Sequence, residues 1–112
     1  MSRNMSFALT TEQFKARTKT VTRRFGWWFL KPGDVVRGVE KSMGLKPGEK
    51  IKPLGEIRIV STRPEPLVAI TREDVVLEGF PDWTPEQFVA MLVDHYGVAP
   101  NAHVNRIEFE YI

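Results

Sequence analysis

The chain has 112 residues, a formal net charge of +2 and 42% hydrophobic residues, a length and balance that fit one small domain with a modest core. It has no cysteine, which excludes disulfides, thiolate metal sites and cysteine nucleophiles and agrees with a reducing, cytoplasmic setting. No apolar run approaches the ~20 residues that cross a bilayer, and Met1 to Met5 lacks the apolar centre of a secretory signal, so no membrane partner is expected.

Ser6 to Leu9 is apolar enough for a first strand. Thr10-Thr11-Glu12-Gln13 reads as a capping box that opens a short helix to about Ala16, with Phe14 turned inward. Lys19 to Arg24 leads into the pair Trp27-Trp28. Lys31-Pro32-Gly33-Asp34 is a turn that launches a strand over Val35 to Val39. Glu40 to Pro53 is rich in breakers and carries Lys41, Lys46, Lys50 and Lys52, which predicts a long basic loop. Gly55 to Thr62 alternates, with Ile57 and Ile59 on one face and Arg58 and Val60 on the other, and Arg63-Pro64-Glu65-Pro66 is expected to end that strand.

Thr71 caps a short helix carrying Val75, Val76 and Leu77, which stops at Gly79. Trp83, between Pro81 and the next cap, reads as a packing plug. Thr84-Pro85-Glu86-Gln87 is a capping box with proline at the first helical position. Phe88, Met91, Leu92 and His95 then recur at helical spacing as far as Gly97. Arg106 to Ile112 is a closing strand, with Ile107, Phe109 and Tyr111 opposite Arg106, Glu108 and Glu110. Strands and helices do not alternate as βαβ units, which argues for an α+β fold: a small, mostly antiparallel β-barrel with two or three short helices at its rim, spanning 1–112 as one domain.

Charge is unevenly spread. Residues 1–56 hold twelve Lys/Arg and five Asp/Glu, whereas 57–112 hold four and nine. Unless the halves interleave in space, this predicts a positive face for an anionic ligand. The densest stretch is Arg17-Thr18-Lys19-Thr20-Val21-Thr22-Arg23-Arg24, followed by Gly26-Trp27-Trp28. Cations hold phosphate, and an aromatic face stacks on a base. One tryptophan is expected in the core and the other free to stack, and one of Arg23 and Arg24 is expected to face a cleft. His95 and His103 stand alone, so no metal site is read, and no cofactor is called for.

Four ordered segments carry a family resemblance: Lys19-Thr20-Val21-Thr22-Arg23, Leu30 to Val36, Ile70 to Asp74 running on to Glu78-Gly79-Phe80, and Ile107-Glu108-Phe109. The chain resembles the ASCH domain, a PUA-like β-barrel family. The resemblance implies a basic cleft for RNA or modified nucleosides. It also implies, for members that deacetylate N4-acetylcytidine, a lysine, a threonine three residues later and a glutamate after a short helix. Lys19, Thr22 and Glu78 occupy those places. The Trp-Trp pair and the lysine-rich loop depart from that pattern.

The chemistry can be weighed from the residues. For Thr22 to attack an amide, a base must take its proton and a donor must hold the oxyanion. Lys19 serves as base only when neutral, which burial and nearby Arg17, Arg23 or Arg24 favour and an ionised Glu78 opposes. Either Glu78 is the proton acceptor, or Lys19 is an electrostatic clamp. In a regular strand Lys19 and Thr22 would point to opposite faces, so a shared site requires a bend between them. The leading expectation is a module that binds RNA or a modified pyrimidine nucleoside through Arg17, Lys19, Arg23, Arg24 and Trp27 or Trp28. The alternatives are an amidohydrolase built on Lys19, Thr22 and Glu78, and a protein-interaction domain.

Overall fold

The structure is a computed structural model that describes residues 3–41 and 45–112. The middle of the basic loop, 42–44, lies outside the described residues. The elements in chain order are β1 (Arg3–Ser6), α1 (Thr11–Lys15), β2 (Val21–Arg24), β3 (Val35–Val39), β4 (Pro53–Pro66), a 3-10 turn (Leu67–Ala69), α2 (Arg72–Leu77), α3 (Pro85–Tyr96) and β5 (His103–Tyr111). The strands form one sheet in the order β1-β3-β4-β5-β2. Three pairings are antiparallel, and β1 runs parallel to β3. The sheet is therefore mixed. It curls as a half-barrel and not a closed barrel, with β1 and β2 as its two edges. Irregular registers at Gly38/Val39 and Ile59/Ser61 supply local bends.

Three expectations need correction. The first strand ends where it was expected to begin, because Met5 and Phe7 are the buried alternating pair and Ala8 to Thr10 already turn toward α1. The capping box at Thr10 does not form; Thr10 is the N-cap residue, but its side chain makes no cap bond, and Thr11 Oγ1 donates to the Phe7 carbonyl at 2.8 Å instead. β4 does not stop at Arg63-Pro64-Glu65-Pro66. It continues through these residues against β5, with Arg63 opposite Arg106 and Pro66 opposite His103. Beyond Ile59 its other side has left β3, so it is an edge there, and proline is tolerated on an edge. On β5 Arg106 is buried and pairs with Asp74 of α2.

Two apolar clusters result. Met5, Phe7, Phe14, Leu30, Val36, Ile57, Ile59, Ile107 and Phe109 fill the curl of the sheet. Phe14 anchors α1 there, packed so closely that a Cβ on Gly38 would come within 2.5 Å of its ring. Leu67, Ile70, Val75, Phe80, Phe88, Leu92 and Val104 form a second cluster under α2 and α3, with Trp83 stacked on Phe80 at 4.5 Å as its plug. The helix starts read from Thr71 and Thr84 are present, the latter with both bonds of its capping box, and Gly97 closes α3 in the left-handed conformation. Among the described residues no helix is long and apolar enough to cross a membrane.

Candidate functional site

Between the two clusters lies a cavity of about 120 Å³. Phe7 from the first cluster and Phe88 and Leu92 from the second form its apolar walls, and Lys19, Thr22, Arg23, Arg24 and Glu78 its polar side. The bend that this requires is made before β2 begins. At the end of α1 the Thr18 N–H donates to the Gln13 carbonyl and the Arg17 N–H to the Phe14 carbonyl, with Arg17 at φ +60°. That is a Schellman-type stop with arginine in the left-handed position where glycine is usual. Lys19 therefore sits in a link outside the strand, and strand alternation does not separate it from Thr22. The link is pinned by Thr20 N–H to the Leu77 carbonyl at 2.8 Å and by the Tyr111 hydroxyl to the Lys19 carbonyl at 2.5 Å.

Glu78 arrives at the C-cap of α2. Gly79 follows at φ +102°, and a Cβ there would lie 2.6 Å from the Gln13 side chain, so only glycine lets the end of α2 settle against α1. One Glu78 carboxylate oxygen meets Lys19 Nζ; the other accepts from Arg23 Nη1 at 3.0 Å. Lys19 Nζ also donates to the Glu78 main-chain carbonyl at 3.1 Å. Arg23 Nη2 reaches Asp74 and, at 2.8 Å, Glu65. Asp74 in turn accepts from Arg106 Nε at 2.6 Å and Nη2 at 3.0 Å. Thr22 Oγ1 accepts from Arg24 Nε at 3.0 Å, and the Arg24 guanidinium lies over the Phe7 ring at 4.7 Å.

The electrostatics follow from burial and these partners. Burial pushes the Lys19 ammonium below its ordinary value; Glu78 opposes this and Arg24 and Arg23 reinforce it. Hydrogen bonding from Arg106, with help from Arg23, holds the Asp74 carboxyl down at about 2 against the opposing effect of burial. Among the described residues Lys19, Arg23 and Arg106 are thus matched by Glu65, Asp74 and Glu78. Here two cations of the basic half, Lys19 and Arg23, meet carboxylates of the acidic half. Arg24 has no carboxylate within ion-pair distance among the described residues.

The structure thus brings Lys19, Thr22, Glu78, Arg23 and Arg24 to one cavity. Both arginines border it. The remaining residues singled out in the sequence lie elsewhere. Arg17 is exposed, over the Tyr111 ring at 5.2 Å. Trp27, at φ +60°, is half-buried against the first cluster, while Trp28 is 54% exposed beside the equally exposed Phe29. His95 is an exposed rim residue of the cavity. Among the described residues no group of three or more His, Cys, Asp or Glu is placed to hold a metal ion.

The fold has a solved counterpart. It is similar to the crystal structure of protein EF3133 from Enterococcus faecalis V583, which carries the family designation DUF984, with a TM-score of 0.70. The alignment covers all of this chain and 80% of that one, at 15% sequence identity, a level at which the likeness speaks for the fold alone. No protein-family model and no curated protein matches the chain.

Sequence reasoning missed Asp74, Glu65 and Arg106 as members of the cluster. For Asp74 a signal existed. It stands four residues before Glu78, a spacing that puts both carboxylates on one side of a helix with buried Val75 between them. Arg106 carried none, because a strand arginine next to Glu108 and Glu110 has the pattern of a solvent face.

Proposed function

We propose that the cavity is the site of a cofactor-independent, cytoplasmic amidohydrolase of ASCH type that removes the acyl group from an N-acylated pyrimidine nucleoside such as N4-acetylcytidine. The observation that carries the reading is the shared cavity of Lys19, Thr22 and Glu78. Its size favours a small acylated base end over a strand of RNA, and Lys19 and Arg23, expected to grip phosphate, are already engaged by carboxylates.

In this reading Lys19 is the base in its neutral form, its proton handed to Glu78. Thr22 Oγ bonds to the acyl carbon as its proton passes to Lys19. Arg24, already at Thr22 Oγ1, faces the developing oxyanion. The C–N bond then breaks, and Lys19 returns the proton to the leaving exocyclic nitrogen. Water, deprotonated by Lys19, attacks the acyl-threonine; the ester C–O bond breaks, Lys19 returns that proton to Thr22 Oγ, and the free acid leaves. Incubation with N4-acetylcytidine, with chromatographic detection of cytidine, tests this. Turnover that falls at least ~10³-fold in both Thr22→Ala and Lys19→Met is expected, on the scale at which nucleophile and base knockouts act. Absence of turnover on any N-acylated cytidine, or full activity in Thr22→Ala, would overturn it.

A second reading, an RNA-binding module, is favoured by a different observation: Trp28 and Phe29 are over half exposed, with the Arg3 guanidinium 4.7 Å from the Phe29 ring. Stacking on such a platform is worth ~1–3 kcal/mol per base. RNA binding that weakens with salt and is lost in Trp28→Ala supports it; binding insensitive to both rejects it.

A further inference from the structure

Ion pairs of alternating sign run in line away from the cavity: Lys19 to Glu78, Glu78 to Arg23, Arg23 to Asp74, Asp74 to Arg106. Arg23 and Arg106 are direct cross-strand partners of β2 and β5, a placement that by itself sets like charges against each other. Asp74 accepts from both guanidinium groups. Arg23 is consequently divided, with Nη1 on Glu78 and Nη2 on Asp74 and Glu65. Whatever part of Arg23 is satisfied by Asp74 is not drawn from Glu78, and that leaves more of the Glu78 charge for Lys19.

We infer that Asp74 and Arg106, neither of which borders the cavity, are positioning residues: by dividing Arg23 between two carboxylates they set the strength of the Glu78–Lys19 pair and so govern proton transfer at Lys19 Nζ. This rests on the reading of the cavity as the hydrolytic site. Among the described residues, the titratable and charged groups that share the cavity with Lys19 or touch it come from four elements. Glu78 comes from the end of α2, Arg23 and Arg24 from β2, His95 and Tyr96 from the rim on α3, and the Tyr111 hydroxyl of β5 meets its carbonyl. Of these, Glu78 and Arg23 are the two that connect onward to Asp74 and Arg106.

The arrangement predicts opposite signs for two substitutions. Asp74→Asn removes a negative charge and turns Arg23 more fully toward Glu78, so the Lys19 pKa falls, by about one unit for a buried charge two ion-pair lengths away. Arg106→Gln frees Asp74 for Arg23, relaxes the demand on Glu78 and raises the Lys19 pKa. A merely structural role gives a different result, because a loosened cluster admits water and moves Lys19 toward its ordinary value in both variants. The readout is the titration of the Lys19 Cε and Nζ resonances by NMR, assigned by their loss in Lys19→Met. It needs no turnover, so a failed hydrolase reading and a failed relay are told apart. Should Asp74→Asn not fold, Glu65→Gln removes a charge from the same Arg23 nitrogen with the Asp74–Arg106 pair intact, and a fall in the Lys19 pKa is again expected. In an active enzyme the limb of the pH–rate profile that belongs to Lys19 shifts with it, and Arg106→Lys restores the wild-type position. A Lys19 pKa unmoved by these substitutions, or raised by the loss of either carboxylate, overturns the proposal.

Discussion

Replacing Glu78 by glutamine removes a charge and almost no volume. In the folded protein that charge serves two cations, Lys19 and Arg23, and all three side chains are at most 2% exposed. The variant therefore leaves a buried ammonium beside a buried guanidinium, and stranding charge in this way costs about 3–5 kcal/mol. The ceiling has an independent source. Lys19 can escape by losing its proton, which at pH 7 costs roughly 5 kcal/mol for a group that ordinarily titrates near ~10.4. At ~4 °C per kcal/mol for a domain of this size, the melting temperature falls by about 12–20 °C. Lys19→Met acts differently: Glu78 keeps Arg23, the buried ammonium is gone, and stability stays within about 1 kcal/mol of wild type. The pH dependence then separates charge from shape. Where Lys19 is neutral in the folded variant but protonated in the unfolded chain, stability rises with pH by ~1.4 kcal/mol per unit. In the wild type Glu78 holds the folded titration higher, so the same gain starts later, and the deficit narrows by up to about 3 kcal/mol between pH 7 and 9.5. Urea denaturation followed by tryptophan fluorescence at the two pH values measures it. An equal deficit at both, or Lys19→Met as damaging as Glu78→Gln, would refute the reasoning.

Three further outcomes follow from other parts of the fold. Phe14→Ala empties a site in contact with Phe7, Tyr111 and Gly38 and is expected to cost about 3–5 kcal/mol by denaturant unfolding. The Asp74 carboxyl, held at about 2 against an ordinary 3.8, contributes stability that is full above about pH 4 and lost as the pH falls toward 2. That contribution is about 2 kcal/mol, and an acid titration of unfolding free energy should show the slope in wild type and lose it in Asp74→Asn. Arg17→Gly relieves a left-handed arginine and is expected to raise stability by about 1 kcal/mol, measured as an upward shift of the urea midpoint; a loss would mean that the contact of Arg17 with Tyr111 outweighs the backbone strain.

The parts of the fold that were legible are those fixed by short-range chemistry. Thr84 with Pro85 and Gln87, Thr71 ahead of Val75, and the Lys31 to Asp34 turn each settle their own geometry within a few residues. Ile57 and Ile59 likewise announce their face by alternation. What was illegible depends on partners distant in sequence. Whether Pro64 and Pro66 end a strand depends on whether a neighbour still occupies that side, and β3 has already left. The stop after α1 uses an arginine where the sequence signal would be glycine, so the bend that brings Lys19 to the same cavity as Thr22 could be required but not located. The sheet order was hidden for the same reason: nothing local in Arg3 to Ser6 specifies a parallel neighbour.

The candidate site divides along the same line. Lys19, Thr22 and Glu78 were reachable through a motif, yet the charge pattern that drew attention to them did not show which carboxylates would meet Lys19 and Arg23. Counting cations along the first half predicts an open positive face, whereas two of those cations, Lys19 and Arg23, are buried and met by carboxylates brought in by α2 and β4. Such a cluster is a poor source of stability, since an apolar core of the same volume would serve as well or better. It lies at the seam of two apolar clusters that could otherwise have merged, and among the described residues Arg24, which also borders the cavity, has no carboxylate at ion-pair distance. Matched buried charge kept where packing would do, with a guanidinium at the Thr22 hydroxyl, is what the hydrolytic role proposed for the cavity calls for.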